Sequence, residues 1–294
     1  MISPGSRLRA LLATAKPLVV PGGGSPLDLV LAEQAGFEAG YISGYATSAQ
    51  RFALPDIGQI AFGEIMDMAR ACTAVVGIPL IVDADTGYGD VTNMARTVRG
   101  LEAAGVAAIQ IEDQVWPKKC GHMDGRVVEP RDVALRKLAA ALAARRDPDT
   151  VIIARTDSRD PHGLDEALER CRLFKREGAD VVFVDGPTST EELRIIAREL
   201  PGPTMANMSE SGKTPLHTAE ELGAMGFGIV IFPSSLARIT LATARGFLAE
   251  LRSKGDSRGW LDRMATLEDT NQALGLDRIR GFEAAILERP GHGA

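Results

Sequence analysis

The 294-residue chain is 45% apolar and 24% charged with a formal net charge of −6, the balance of a soluble globular enzyme without the basic footprint that nucleic acid requires. No apolar run approaches the roughly 20 residues of a membrane span, and residues 1–15, with Arg7 and Arg9 but no long apolar core, are not expected to form a signal peptide. Cys72, Cys120 and Cys171 are odd in number and widely spaced, which argues against a disulfide framework or zinc site and points to a reducing cytoplasm.

Short β-branched runs alternate with helical patterns along the chain. The first predicted strand covers 17–23 and is followed by a helix over 26–36. A second, over 41–44, leads through a polar segment to Asp56 and a helix over about 59–76. Strand 79–85 precedes helix 91–104. Strand 107–113 is followed by a loop and by helix 131–145, with Pro130 suited to its first turn. Strand 150–156 precedes helix 164–177, which Gly178 stops. Strands 180–185, 203–208 and 228–233 alternate with helices over 191–199, 219–225 and up to about Ser253.

Eight such units predict an α/β fold, a closed (β/α)₈ barrel of parallel strands forming one domain over 1–294. An open doubly wound sheet is disfavoured because no glycine-rich dinucleotide turn follows the first strand. Residues 256–294 are surplus to a barrel and read as a helical extension, with helices over 260–274 and 277–287 that cap the barrel or pack on a neighbouring subunit.

A barrel concentrates its chemistry at the C-terminal ends of its strands. There the sequence places Asp83 and Asp85, Glu112 and Asp113, Arg155 and Asp157, Asp185, and Asn207. Asp83 and Asp85 alternate and so share a face. With Glu112 or Asp113 they form an oxygen-only cluster suited to Mg²⁺, with Mn²⁺ as the alternative. Single acids have another reading, as helix caps or as partners of Arg96 or Arg155.

The loop after the fourth strand carries Lys118-Lys119-Cys120-Gly121-His122. Neighbouring cations are expected to lower the Cys120 pKa and give a thiol able to exchange protons near neutrality. His122 would orient that thiol or bind a carboxylate, and Arg155 would clamp a carboxylate or pair with a strand-end acid. Cys72, Cys171, Met66 and Met68 read as core, and His162, His217 and His292 as surface.

Together Leu54-Pro55-Asp56, Val82-Asp83-Ala84-Asp85-Thr86-Gly87-Tyr88-Gly89, Ile111-Glu112-Asp113-Gln114, the Lys-Lys-Cys-Gly-His loop, Ala154-Arg155-Thr156-Asp157, Ala206-Asn207 and Gly212-Lys213-Thr214-Pro215 resemble the isocitrate lyase/phosphoenolpyruvate mutase superfamily. The cysteine loop resembles its carbon–carbon lyase branch; phosphonate-forming mutases carry a different loop. The resemblance implies Mg²⁺-dependent cleavage of a 2-hydroxy di- or tricarboxylate to a 2-keto acid and a carboxylate.

It further implies that Asp85 binds the metal directly, with Asp83, Glu112 and Asp56 acting largely through its waters. Cys120 would protonate the departing fragment from a mobile loop, with Lys118, His122, Arg155 and Asp185 completing the catalytic set. Ser43, Gly44, Tyr45, Asp56, Gly121, Asn207, Ser209, Thr214 and Pro233 would contact substrate. Family members are usually tetramers that exchange C-terminal helices, which implies a homotetramer here.

Three features depart from the family pattern. Asp185 stands where most lyases have Glu. Tyr45 and Ala46 follow Ser43-Gly44, where 2-methylisocitrate lyases carry more glycine, which implies a smaller pocket. Pro233 matches 2-methylisocitrate lyases rather than the Ser of oxaloacetate acetylhydrolases, yet residues 114–123 most resemble the plant petal-death type. Oxaloacetate hydrolysis or decarboxylation and phosphonate chemistry are the alternative activities, and a non-catalytic dicarboxylate binder is a third possibility.

Overall fold

A computed structural model describes residues 2–288; His292 lies outside them. Eight parallel strands, β1 (Leu18–Gly23), β2 (Gly40–Ile42), β3 (Leu80–Asp83), β4 (Ala108–Glu112), β5 (Val151–Thr156), β6 (Val181–Val184), β7 (Thr204–Asn207) and β8 (Ile229–Phe232), close in sequence order, with β8 pairing back onto β1. The chain is thus a (β/α)₈ barrel, as its alternating pattern predicts.

Strand alternation sorts the side chains into two cores. Ile81, Ala108, Val151, Ile153, Val181, Phe183, Met205, Ile229 and Ile231 fill the barrel interior. Their neighbours Val82, Ile109, Ile152, Ala154, Val182, Ala206 and Val230 face the helices, where Met66, Met68, Cys72 and Cys171 also pack. The inward parity, extended one step past each strand, determines which polar residues reach the barrel mouth.

Three helices depart from the sequence reading. Pro4–Leu12 is a helix whose first turn is capped by Ser3, and it puts Leu8 into the interior core. The segment expected to be polar loop after β2 is largely the helix Gly44–Phe52, because the Ser43 hydroxyl accepts from the Ala46 N–H at 3.2 Å and caps it. A further short helix, Arg159–His162, follows β5.

Contact density divides the chain into two units, one ending at Arg238 and one beginning at Ile239. The second holds most of helix Ser235–Lys254, the 3₁₀ turn Arg258–Arg263 and helices Leu267–Ala273 and Leu276–Leu287. The single helix expected over 260–274 is broken because Thr266 and Asp269 form a capping box that starts a new one. Trp260 packs edge-on against Phe247 at 5.8 Å, and its Nε1 donates to Glu250. Leu267 and Phe282 are 78% and 70% exposed.

Candidate active site

Inward parity brings Tyr41, Asp83, Arg155, Asp185, Asn207, Ile231 and Pro233 to one cavity at the C-terminal mouth of the barrel. Tyr45 and Asp56 from the loops, and Lys118, Cys120, Gly121 and His122 from the segment after β4, complete its lining. The space free of protein atoms is about 410 Å³ with the solvent at its open mouth included, of which about 40 Å³ is accessible to the centre of a water molecule.

Behind this lining lie the remaining acids. Asp83 Oδ1 accepts from the Asp85 N–H and from Gln110 Nε2, each at 3.3 Å. Asp85 sits at φ 46°, a left-handed conformation uncommon for residues other than glycine. Gly44 packs so tightly here that an added Cβ would lie 3.2 Å from Asp83 Oδ2 and 3.3 Å from Asp85 Oδ1. Glu112 pairs with Arg155 at 3.4 Å. Tyr41 and Gln110 are buried members of this group that the sequence reading missed. Counting back two residues from Ser43 and from Glu112 identifies both.

Asp113 has the opposite parity and faces away from the acids. Its carboxylate accepts from Thr156 Oγ1 at 2.7 Å, the Asp157 N–H at 2.9 Å and Arg170 Nη1 at 3.0 Å. It braces β5 and the helix Leu164–Glu177, so the fourth strand contributes Glu112 alone to the inward acid group.

The donor set of Asp83, Asp85 and Glu112 suits a hard divalent cation. Asp85 Oδ2 and Glu112 Oε1 are buried without a hydrogen-bond partner. Burial pushes the Asp85 carboxyl up to about 7 and the Glu112 carboxyl well above its usual range, against the pull of Lys118 and Arg155 respectively. A cation would satisfy both orphaned oxygens. Among the described residues no three His, Cys, Asp or Glu side chains form a ready-made ligand cage, and Mg²⁺ characteristically binds through one or two carboxylates and keeps several waters.

Residues 114–128 form a flap over the cavity. Its stem is a short antiparallel pairing, with Val115 N–H donating to Val127 O and Glu129 N–H to Asp113 O, both at 2.8 Å. Gln114 braces the flap from inside, accepting from the Lys119 N–H and donating to Lys119 O. Lys118 Nζ lies 2.6 Å from Asp56 and 2.8 Å from Asp85. The Cys120 N–H donates to Asp56 O at 3.0 Å. His122 Nδ1 accepts from the Lys213 N–H at 3.2 Å.

The thiol differs from the sequence expectation. Burial pushes Cys120 up to about 11, with Asp56 and Asp185 adding to the effect and the His122 N–H and Lys118 opposing it. Lys118 is already paired with two carboxylates, so little of its charge is left to stabilise a thiolate. The group is a protonated thiol near neutrality. Burial also lowers the His122 pKa, despite the attraction of Asp185.

Arg155 donates through Nε and Nη2 to both oxygens of Asp157 at 2.9 Å and through Nη2 to Asp185 at 2.8 Å. Asp185 also accepts from Asn207 Nδ2 at 3.1 Å. Burial alone would raise the Asp185 carboxyl, but Arg155 and His122 outweigh it and hold the group down at about 2. Four expected substrate contacts, Ser43, Gly44, Ser209 and Thr214, stand outside the cavity lining. The Ser209 hydroxyl lies 3.2 Å from that of Ser234, while Thr214 Oγ1 is buried without a partner. His217 is half-buried rather than at the surface, because its ring bridges Thr190 and Glu221, whereas His162 is exposed.

Residues 8–252 match the phosphoenolpyruvate phosphomutase family model. A 2,3-dimethylmalate lyase of Eubacterium barkeri is 40% identical over 96% of this chain and 98% of its own. A 2-methylisocitrate lyase of Aeropyrum pernix is 44% identical over 96% and 91%. Among solved structures, oxaloacetate acetylhydrolase with 3,3-difluorooxalacetate superposes with a TM-score of 0.93 at 35% identity, covering 99% of both chains. Phosphonopyruvate hydrolase with oxalate and Mg²⁺ superposes with a TM-score of 0.87 at 30% identity, covering 97% of this chain and all of the other. The family motifs, the closed barrel and these matches agree: the chain belongs to the phosphoenolpyruvate mutase/isocitrate lyase superfamily.

Proposed function

We propose that this protein is a Mg²⁺-dependent carbon–carbon lyase that cleaves a 2-hydroxy di- or tricarboxylate to a 2-keto acid and a carboxylate. The observation that carries this reading is a single cavity lined both by the Cys120 thiol and by the acid side of the barrel mouth. Asp85 would hold the metal directly, with Asp83, Glu112 and Asp56 bonded to its waters. Bound there, the cation supplies Lewis-acid stabilisation of oxyanion charge.

The chain's own groups do the rest. Arg155 and Asn207, which line the cavity, orient the substrate carboxylates. Lys118 offsets the acid charge at the cavity edge, and Asp185 and His122 hold Arg155 and the flap in register. As the carbon–carbon bond breaks, the substrate hydroxyl gives up its proton to a carboxylate of the cavity lining, Asp83 or Asp56, the hydroxyl carbon becomes a carbonyl, and the electron pair of the broken bond stays on the departing fragment. Cys120 Sγ–H delivers a proton to that fragment, and the seated flap excludes water that would compete.

Among the lining residues Tyr45, Ile231 and Pro233 carry no charge and offer ring and alkyl surface. That apolar surface suits an alkyl substituent, which favours a 2-alkylmalate over a tricarboxylate. The likeness to oxaloacetate acetylhydrolase across 99% of both chains supports a second reading, hydrolysis of oxaloacetate to oxalate and acetate. The exposed Leu267 and Phe282 support a homotetramer in which C-terminal helices are covered by another subunit. The three free cysteines suit the cytoplasm, and no helix among the described residues is long and apolar enough to cross a membrane.

The test is a Mg²⁺-supplemented panel of 2,3-dimethylmalate, 2-methylisocitrate, isocitrate, citramalate, oxaloacetate and phosphonopyruvate. Pyruvate or glyoxylate release from a hydroxy-diacid, with turnover nearly abolished in Cys120→Ser, is the expected result. Full activity in that variant would remove the thiol from the mechanism. Phosphate release from phosphonopyruvate alone would replace the lyase reading, and oxalate formation alone would select the hydrolase.

A further inference from the structure

The flap is anchored on its cavity side by Lys118, the Cys120 N–H and Gly121, but its outer corner has a separate fastening. Asp124 sits at that corner with its side chain 93% exposed, 2.7 Å from Lys213 Nζ. The same ammonium lies 2.7 Å from Asp160, on the short helix Arg159–His162 after β5. Asp160 also faces the returning arm of the flap, 3.6 Å from Arg126 Nη2. Arg126 Nη1 in turn donates to Asp157, the carboxylate on which Arg155 forks.

Lys213 therefore meets the flap twice, through its side chain at Asp124 and through its backbone N–H at His122. Gly212 makes the second contact possible, since a Cβ there would lie 2.7 Å from the His122 ring.

We propose that Lys213 is a positioning residue for Cys120. It holds the flap shut by bridging Asp124 to Asp160 and by fixing His122 through its backbone N–H, which keeps Cys120 at the cavity that it lines. That the closure serves catalysis rests on the lyase reading above; the closure itself does not. An exposed ion pair is weak when taken alone, so the Asp124 arm by itself contributes little. Removing the ammonium does more, because it breaks both arms and leaves two carboxylates without the cation between them.

Hydrogen–deuterium exchange over residues 116–126, with and without Mg²⁺ plus oxalate, tests this on the full chain. Wild type should gain protection with these ligands. Lys213→Met should lose roughly 10-fold of it, the scale of a charged hydrogen-bond contact, while exchange over β5 stays unchanged. Lys213→Arg should retain most of the protection, and Asp124→Asn should lose only about 2-fold.

In turnover, Lys213→Met should lower kcat roughly 10-fold with KM changed less than about 3-fold, as expected for a displaced proton donor. Wild-type protection in Lys213→Met would overturn the proposal. Were that variant unable to fold, unchanged exchange in the exposed-site variant Asp124→Asn would do the same. A wild-type protein that cleaves no 2-hydroxy di- or tricarboxylate would remove the lyase reading, and the exchange result would still decide the role of Lys213.

Discussion

Gly121→Ala isolates the contact that seats the flap. A Cβ on Gly121 would fall 1.7 Å from Asp185 Oδ2, 2.5 Å from Arg155 Nη2 and 2.9 Å from Asp185 Cγ. The residue is needed for space, not for an unusual φ, since it lies outside the left-handed region. Ordinary contact begins near 3.4 Å, so one side must retreat by about 1.7 Å. Asp185 cannot readily yield, because Arg155 and Asn207 hold it in the buried strand end at 2.8 and 3.1 Å. The flap, attached by a two-stranded stem and polar contacts, moves instead. Cys120 is the adjacent residue and moves with it.

Misplacing a reacting group by about 1 Å can cost on the order of 100-fold in rate. Gly121→Ala should therefore lower kcat by about that factor in steady-state release of keto acid. Mg²⁺ binding, measured by calorimetry, should be retained because Asp83, Asp85 and Glu112 stay on their strands, and it should tighten if the lifted flap draws the Lys118 ammonium away from Asp85. Exchange over residues 116–126 should rise as the flap lifts. A variant with wild-type kcat and an unchanged flap would refute the reasoning, since the substitution would then have been absorbed without moving the thiol.

Three other outcomes are expected. Asp185 is held near 2 in the fold against an ordinary 3.8, so its depressed pKa contributes stability that is present above about pH 4 and lost as pH falls toward 2. The difference in unfolding free energy between wild type and Asp185→Asn should shrink by about 2 kcal/mol across that window; a pH-independent difference in urea titrations would contradict it. Phe282→Glu, on a side chain 70% exposed within one chain, should shift light scattering toward a smaller assembly, and an unchanged mass would show that this face is not covered. Tyr45→Ala removes a ring from the cavity lining and should raise the kcat/KM ratio of 2-methylisocitrate to 2,3-dimethylmalate several-fold, an effect of roughly 1 kcal/mol. A ratio that does not move would place the substituent elsewhere.

Much of the fold was legible because covered parallel strands and amphipathic helices leave different periodicities, and the eight apolar runs match the eight strands to within about two residues at each end. The strand-end rule then brought Asp83, Arg155, Asp185 and Asn207 to attention, and all four line one cavity. Alternation also determines that Glu112 and Asp113 face opposite ways, but spacing alone does not say which one faces in. The structure shows it: Arg170, 57 residues later, meets Asp113 from the helix layer. The Cys120 pKa likewise lay beyond the sequence. Two lysines beside a thiol suggest a thiolate, whereas the fold spends the Lys118 charge on Asp56 and Asp85 and buries the sulfur. Local order along the chain determined the barrel and its polar rim, because periodicity and strand-end position are local properties. Which charges neutralise one another is a matter of distances across the barrel mouth, and only the tertiary structure decided those.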